Sequence, residues 1–553
     1  MTKDYVCPLA TAVRAAYRAG EDDETMEPLV LVDDEGGPVG RIQDGDYVIF
    51  YDIRGEREIE LTQAFVDEVF PYFEREPIST NWATMIEYHA DLDTRVAFPP
   101  LGSIEDTLSE TVSRAGKSQI KIVESEKQVH VTSFLNGGRE EPLPGEEWHI
   151  VESLDFQGYL PPPAMRAVDV ADAAIEALRD ETIDLLVVNW ANVDVIGHSE
   201  DREAIKTAVS TVDAQLGRVL KVTRESGVTA LVTADHGTVE KWYYADGSID
   251  TGHTDSPVPF VVVAPHLDGG RGDDERLGVR DGGTLIDVAP TVLDLMGIEK
   301  PDVMTGRSLV ETADESEPQR VALLILDGWG ERDEKRGNLI VDADTPVMDG
   351  LRATHPSTRL EAAGEAVGLP NEIPNREGKT VGNSEVGHTH IGAGRVVTSD
   401  RLRIERAIED GRFFENDALL WAMEGAKDDG TGLHLLGIIS FYSSHGSVEH
   451  LKALLRMAQD AAVPKVYIHG MLGRRGEKPE SGAIYVADVE AECERLRVGQ
   501  LVSLIGRFWS LDREHNWDRI EKSYRWLVHG EGRRVFGSGQ GTRRYAGQTS
   551  AGR

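Results

Sequence analysis

Four short apolar segments constrain the fold of this chain more than any other feature. They are residues 184–189, 228–233, 258–264 and 321–326. Continuous apolar runs of this length, without polar alternation, are typical of strands that are buried on both faces, as in a parallel sheet covered by helices. A long helical pattern over residues 202–225 separates the first two runs. The chain is therefore predicted to be an α/β protein with a largely parallel central sheet.

Carboxylate and imidazole side chains cluster around these predicted strands. Asp194 follows the first strand, Asp235 and His236 follow the second, and Asp327 follows the fourth, while His253 precedes the third. Ligands of open parallel sheets collect at the carboxyl ends of the strands. Such oxygen and nitrogen donors suit Mn²⁺, Zn²⁺ or Mg²⁺, and two ions together could serve both ends of a phosphoryl displacement.

Ser384 is the candidate nucleophile. It lies in the glycine-rich segment Gly382-Asn383-Ser384-Glu385-Val386-Gly387-His388. Glycines permit sharp backbone geometry and the approach of a bulky anion. A serine in such a turn is usually only a turn residue. The metal-ligand residues elsewhere in the chain favour a serine that carries a phosphoryl group.

Basic residues next to predicted strands are candidates for anion binding. Arg54 and Arg57 come just after a strand predicted over residues 44–53. Two arginines at a strand end can clamp a carboxylate or phosphate, although an exposed charged turn is the commoner explanation. Lys127 could reach a phosphate as a point charge, and a solvent-facing lysine is again the alternative.

Composition excludes several classes of protein. The 553 residues predict two to four domains. A net charge of −39 argues against nucleic-acid binding and suits a solvated surface in a salt-rich cytoplasm. Two cysteines provide no disulfide framework, which fits a reducing cytosol. No apolar run approaches the roughly 18 residues of a membrane helix, and the start of the chain does not predict a signal peptide.

Several of these segments together resemble one family. They are Asp327-Gly328-Trp329-Gly330, the Ser384 segment, Asp194-Val195-Ile196-Gly197-His198, Ala234-Asp235-His236-Gly237 and Thr251-Gly252-His253-Thr254. The set resembles the cofactor-independent (2,3-bisphosphoglycerate-independent) phosphoglycerate mutases of the alkaline phosphatase superfamily. The resemblance covers nearly the whole chain except residues 310–320 and the C-terminal tail.

The resemblance implies a set of roles. Ser384 would form a phosphoserine while 3-phosphoglycerate and 2-phosphoglycerate are interconverted, without 2,3-bisphosphoglycerate. Two divalent ions are implied, with Mn²⁺ preferred over Mg²⁺, Co²⁺ or Zn²⁺. One ion would bind Asp194, His198 and His253, and the other would bind Asp327, Ser384, Asp235 and His236. The substrate-binding positions would be Arg54, Arg57, Lys127, His445, Arg475, Arg507 and Arg513. The family also suggests a cytoplasmic monomer.

The order of the motifs implies a circular permutation. The family usually begins with the strand that leads into Asp-Gly-Trp-Gly, which here starts at residue 321. An alkaline-phosphatase-like, metal-binding domain is therefore expected over residues 101–398, with an acidic linker at residues 310–320. A second α/β domain, which would bind phosphoglycerate, is expected from residues 1–100 together with 399–535. Residues 536–553 are expected to be a disordered tail.

Two segments depart from the family pattern. The usual Asp-Gly-Gly-Val-His-Ser-His run keeps only its first histidine, His445, and the usual Asp-Gly-Arg-Asp run reads Gly473-Arg474-Arg475-Gly476. The aspartate expected to act as acid and base on the substrate hydroxyls is therefore missing. A metal-dependent phosphohydrolase or phosphotransferase acting on another small phosphate ester is the alternative function. A non-catalytic relative is a third possibility, against which the retention of Ser384 argues.

Overall fold

The structure is a computed structural model that describes residues 7–155, 161–244, 247–265, 277–312, 319–371, 378–440, 445–473 and 481–537. The described residues form two compact units. Unit 1 takes those up to Leu101 and those from Asp400 onward, and unit 2 takes Gly102–Ser399. Each unit contains one large sheet and its own hydrophobic core.

The strands, in chain order, are β1 (Leu29–Val32), β2 (Tyr47–Phe50), β3 (Asn81–Ile86), β4 (Arg95–Phe98), β5 (Gln119–Glu124), β6 (Glu146–Val151), β7 (Leu185–Trp190), β8 (Thr229–Thr233), β9 (Val258–Val263), β10 (Leu277–Val279), β11 (Gly283–Thr284), β12 (Val310–Thr312), β13 (Val321–Leu326), β14 (Ser357–Glu361), β15 (Leu433–Ile438), β16 (Val466–Leu472), β17 (Gln500–Gly506) and β18 (Arg533–Phe536).

The α-helices, in chain order, are α1 (Pro8–Arg18), α2 (Ile59–Val66), α3 (Leu108–Arg114), α4 (Ala167–Arg179), α5 (Asn192–Gly197), α6 (Arg202–Glu225), α7 (Val288–Leu295), α8 (Pro346–Thr354), α9 (Ser384–Ala393), α10 (Asp400–Asp410), α11 (Asp417–Asp429), α12 (Val448–Asp460), α13 (Gly482–Leu496), α14 (Arg507–Ser510) and α15 (Trp517–His529).

The sheet of unit 2 has the order β11-β14-β9-β8-β13-β7-β5-β6. Strand β13 pairs in parallel with β7 on one side and β8 on the other, with Val321 opposite both Leu185 and Thr229. Every residue of these three strands is buried. Strand β9 is antiparallel to both of its neighbours, β8 and β14. The predicted α/β class with a largely parallel central sheet is confirmed.

The sheet of unit 1 has the order β18-β1-β17-β16-β15-β2-β3-β4. All adjacent strands are parallel except β1 and β17. Strands from the start of the chain thus pair with strands from its end. The C-terminal edge of this sheet carries the loops after β2 and β15.

Two expectations about irregular segments need correction. Residues 310–312, predicted as the start of a linker, form β12, which pairs antiparallel with β10. Residue 536, predicted to begin the tail, ends β18, where Phe536 pairs with Val32. The rest of the predicted tail from residue 538 and residues 313–318 of the predicted linker lie outside the described residues. Among the described residues, no helix combines the length and apolarity that crossing a membrane requires.

Candidate metal and phosphoryl-transfer site

Ser384 is the first residue of α9, and its hydroxyl lies among charged side chains. The helix begins where the side chain of Asn383 accepts a hydrogen bond from the Val386 amide at 2.9 Å. Ser384 Oγ lies 2.5 Å from Lys127 Nζ and 3.1 Å from His236 Nε2. It also donates to Asp327 Oδ1 at 3.3 Å. The nucleophile predicted from the sequence thus contacts a lysine, a histidine and a carboxylate.

The sheet topology explains why residues so distant in sequence meet here. Asp327 directly follows β13, Asp235 and His236 follow β8, and Asp194 lies on α5 just after β7. Because β13 lies between β7 and β8, the three strand ends are adjacent. Helix α9 packs directly against this edge, since a Cβ on Gly387 would lie 2.5 Å from the Asp235 carbonyl oxygen.

Asp194, His198 and His253 form a first group of potential metal ligands. Asp194 Oδ1 lies 3.4 Å from His198 Nε2 and 3.1 Å from His253 Nε2. The Nδ1 atoms of both histidines contact backbone carbonyl oxygens, those of Thr251 and Gly382 respectively. The backbone therefore orients both Nε2 atoms toward the carboxylate, as is usual for histidines that bind a metal.

A second group of potential ligands lies deeper, around Asp327. His236 Nε2 lies 3.7 Å from Asp327 Oδ1 and 3.4 Å from Asp235 Oδ2. All three side chains are fully buried. Their donor atoms and Ser384 Oγ converge within a few ångströms of one another. Lys127 Nζ lies at the same centre, 2.7 Å from Asp327 Oδ1 and 2.7 Å from Asp194 Oδ2.

Two residues of this network were missed by the sequence analysis. His388 Nδ1 lies 3.4 Å from Asp235 Oδ2, and one donor atom from each of Asp235, Asp327 and His388 falls within 4.8 Å of the others. Asn189 Nδ2 donates to Asp327 Oδ2 at 2.9 Å and lies 3.0 Å from His388 Nε2. His388 is the last residue of the Ser384 segment, one helical turn after Ser384, so the i, i+4 spacing on α9 was the available signal.

The charges at this site fit bound cations. Among the described residues, three buried carboxylates, Asp194, Asp235 and Asp327, surround the ammonium of Lys127. Burial opposes the charge on Lys127, but the carboxylates of Asp327 and Asp194 outweigh burial and raise its pKa. Burial, followed by the charge of Asp235, raises the pKa of Asp327. In addition, Asp235 Oδ2 accepts no hydrogen bond from a described residue. Divalent ions would balance this excess of negative charge.

The site opens into a pocket of about 460 Å³ within unit 2. Its lining includes Lys127, Asp194, His198, His253 and Ser384. Pockets for small molecules start at roughly 300 Å³. The nucleophile and the first group of potential ligands are therefore accessible to a small phosphate ester.

The other predicted substrate-binding residues lie in unit 1. Arg57 donates to the Leu511 carbonyl at 2.9 Å, and Glu56 accepts from both Arg54 and Arg513. Burial, followed by the charges of Arg513, Arg507 and Arg54, lowers the pKa of Arg57.

Three other guanidinium groups therefore lie close enough to act on Arg57, an arrangement that favours an anionic ligand. His445 is fully buried and pairs with Glu58. Arg475 lies outside the described residues.

Comparison with known proteins finds two domain families in the chain. Residues 39–300 match the "Metalloenzyme superfamily", and residues 404–544 match the "BPG-independent PGAM N-terminus". A 2,3-bisphosphoglycerate-independent phosphoglycerate mutase of Clostridium botulinum (strain Langeland) is 41% identical over 298 residues, which are 54% of this chain and 56% of the relative. That of Listeria monocytogenes (strain F2365) is 38% identical over 302 residues, 54% of this chain and 57% of the relative.

This chain thus matches over about half the length of these curated relatives. A crystal structure of Leishmania mexicana phosphoglycerate mutase aligns with a TM-score of 0.37 and 29% identity, over 51% of this chain and 53% of the other. The resemblance found in the sequence is confirmed by the two domain families and the curated relatives.

Proposed function

We propose that this chain, whose resemblance to the 2,3-bisphosphoglycerate-independent phosphoglycerate mutases is confirmed, interconverts 3-phosphoglycerate and 2-phosphoglycerate through a phosphoserine at Ser384. The observation that carries the proposal is the position of Ser384 Oγ, between Lys127 Nζ and His236 Nε2 and beside two groups of metal-ligand side chains. A solvated turn serine would need none of these neighbours.

Two divalent ions, with Mn²⁺ preferred, would be held by the residues that the family suggests. Asp194, His198 and His253 would hold one ion, and Asp327, Ser384, Asp235 and His236 the other. When bound, such ions supply Lewis acidity and charge neutralisation for phosphoryl transfer. His388 would orient Asp235 from behind, since its Nδ1 lies 3.4 Å from that carboxylate.

Transfer would proceed in two balanced steps. In the first, Ser384 Oγ gives up its proton and bonds to phosphorus, while the bond from phosphorus to the 3-oxygen of the glycerate breaks and the 3-oxygen takes up a proton. In the second, the 2-oxygen gives up its proton and bonds to phosphorus, while the bond from phosphorus to Ser384 Oγ breaks and Oγ takes up a proton. The Lys127 ammonium beside Oγ would stabilise the serine alkoxide and then a phosphate oxygen. The amino end of α9 faces the same group and favours an anion.

Unit 1 would bind the carboxylate and phosphate of the glycerate through Arg54, Arg57, Arg507, Arg513, Arg475 and His445. The charges of Arg54, Arg507 and Arg513 act on the Arg57 guanidinium, which supports this role. Unit 2 would be the phosphatase-like metal-binding domain. We also propose that the chain is a circular permutant, which is supported by the pairing of β1 with β18 inside one unit.

A metal-dependent phosphohydrolase or phosphotransferase is the second candidate. One observation favours it, namely that glycines stand at positions 473 and 476, where the family pattern has aspartates beside the arginine. Without such an acid and base, water could release phosphate from Ser384 before the glycerate accepts it.

We further propose that the protein is a cytoplasmic monomer that acts on a small phosphate ester. Size-exclusion chromatography with light scattering tests the monomer, and a mass of twice 60.8 kDa would contradict it.

Phosphorus NMR of the protein with Mn²⁺ and 3-phosphoglycerate in concentrated KCl tests the proposal. The expected result is 2-phosphoglycerate without inorganic phosphate, and no product with Ser384→Ala. Ser357→Ala is the matched control, because Ser357 is an exposed serine at the start of β14 in the same unit, and it should remain active. Inorganic phosphate as the sole product would establish the phosphohydrolase instead. Unchanged activity of Ser384→Ala would overturn both functions.

A further inference from the structure

A second buried cluster of acidic and imidazole side chains lies in unit 1, at the carboxyl edge of its sheet. Asp52 follows the end of β2 by two residues, His445 lies in the loop after β15, and Glu58 immediately precedes α2. Strands β2 and β15 are parallel neighbours, so their loops leave the sheet side by side. The Ile53 amide donates to the His445 carbonyl at 2.6 Å and joins the two loops.

All three side chains are fully buried. His445 Nδ1 lies 2.8 Å from Glu58 Oε1, and Asp52 Oδ1 accepts from the Ile438 amide at 2.8 Å. The other oxygen, Asp52 Oδ2, has no hydrogen-bond partner among the described residues. A buried polar atom without a partner destabilises the folded state, more so if it is charged, so such atoms in native proteins call for an explanation.

No lysine or arginine side chain forms an ion pair with either carboxyl group in the described part of the chain. The guanidinium of the neighbouring Arg57 donates to the Leu511 carbonyl instead. Arg57 contacts the Glu58 carboxylate through its backbone amide. Burial and then the charge of Glu58 raise the pKa of Asp52 well above its usual range.

Two glycines leave space beside the Asp52 carboxylate. A Cβ on Gly437 would lie 2.6 Å from Asp52 Oδ1, and one on Gly446 would lie 3.4 Å from the same atom. Glycine is thus required at position 437 if Asp52 is to keep this orientation. The two glycines therefore leave room for the Asp52 carboxylate where larger side chains would contact it.

We propose that Asp52, Glu58 and His445 bind a divalent transition-metal ion, separate from the ions proposed beside Ser384. One donor atom from each of the three residues lies within 4.8 Å of the other two. Two carboxylates and one imidazole suit Mn²⁺ or Zn²⁺. A dication would give Asp52 Oδ2 a partner and balance both buried carboxylates, which no lysine or arginine among the described residues does. His445 is also one of the proposed glycerate-binding residues, but the number of ions bound at this site can be measured without turnover at Ser384.

The test counts ions per chain. Metal-free full-length protein is dialysed to equilibrium against MnCl₂, and in a second series against ZnCl₂, and the bound metal is measured by elemental analysis. Asp52→Asn and Glu58→Gln should each bind one ion fewer than the wild type in at least one series. Asp46→Asn is the matched control. It replaces another buried aspartate paired with a histidine of unit 1, and both oxygens of Asp46 already accept hydrogen bonds. It should bind as many ions as the wild type.

Counts equal to the wild type for both cluster variants, in both series, would overturn the proposal. Loss of an ion in Asp46→Asn as well would also overturn it, because the effect would then not be specific to the cluster. If neither cluster variant folds, anomalous-scattering maps of wild-type crystals soaked in MnCl₂ or ZnCl₂ decide the matter. A peak beside Asp52 would support the site, and no peak in either map would refute it. Because none of these measurements uses turnover, failure of the proposed reaction at Ser384 would not affect them.

Discussion

The helix that carries Ser384 packs so closely on its neighbour that one added methyl group should displace it. A Cβ on Gly392, near the end of α9, would lie 1.9 Å from the Leu135 carbonyl oxygen and 2.7 Å from the Leu135 carbonyl carbon. Backbone atoms cannot rotate away as a side chain does. Because contacts below 3.0 Å essentially do not occur, Gly392→Ala must separate the two segments by about 1 Å.

Two magnitudes follow from this displacement. Overpacking costs about 1–3 kcal/mol of the free energy of unfolding. Replacing a helical glycine by alanine otherwise stabilises by about 0.5–1 kcal/mol. Lys127 lies on the same connection as Leu135, and its Nζ is 2.5 Å from Ser384 Oγ, so the shift should also loosen that contact. Misplacement of a reacting group by about 1 Å can reduce a rate roughly 100-fold.

Gly350→Ala is the matched control, because Gly350 lies within α8 and a Cβ there meets no atom within 4 Å. Both variants gain the same helical preference, so the difference between their free energies of unfolding isolates the overpacking cost. Guanidinium unfolding should place Gly392→Ala about 1–3 kcal/mol below Gly350→Ala. Turnover of 3-phosphoglycerate should fall only in Gly392→Ala. Equal stability and equal turnover of the two variants would refute the packing argument.

Three further predictions concern charge. Lys127→Met should lower the free energy of unfolding of the metal-free protein by about 3–5 kcal/mol, because it leaves buried carboxylates unpaired. MnCl₂ should restore much of the lost stability. Equal stability of the variant and the wild type without metal would contradict this prediction. Burial and then Arg401 lower the pKa of His450 to about 3. Between about pH 6.5 and 3 the unfolded chain therefore binds the extra proton, so stability falls as pH falls, by up to about 1.4 kcal/mol per pH unit. His450→Leu should show a shallower fall in urea titrations at pH 6.5 and 4.5, and identical slopes would refute the assignment. Finally, because the net charge is −39, thermal unfolding should occur at a higher temperature in molar KCl than in dilute buffer. The opposite order would reject adaptation to salt.

The features that were predictable from the sequence are those encoded by local patterns. Strand β13 and the aspartate after it follow from a fully apolar run that ends in a polar residue. The antiparallel direction of β9 was not predictable, since a buried run reads the same in either direction.

The position of Lys127 depended on tertiary structure. As a single charge after a strand it resembled a solvent-facing lysine, yet its side chain is buried among carboxylates of residues that follow β7 and β13, Asp194 and Asp327. The role of Asn189 was hidden for a related reason. It is a residue of the apolar run itself, and only the pairing of β7 with β13 brings it to Asp327.

The pairing of β1 with β18 has a consequence for synthesis on the ribosome. Leu29 leaves the ribosome about 500 residues before its partner Arg533. Unit 2, which lies between them in sequence, can complete its sheet first. Strand β1 must therefore wait for β17 and β18, and β2 must wait for β15, so their edges stay unpaired while unit 2 is synthesised. Such long-range pairing is slow and exposes nascent chains to aggregation. Nascent chains of this protein should consequently depend on chaperones that shield the first hundred residues.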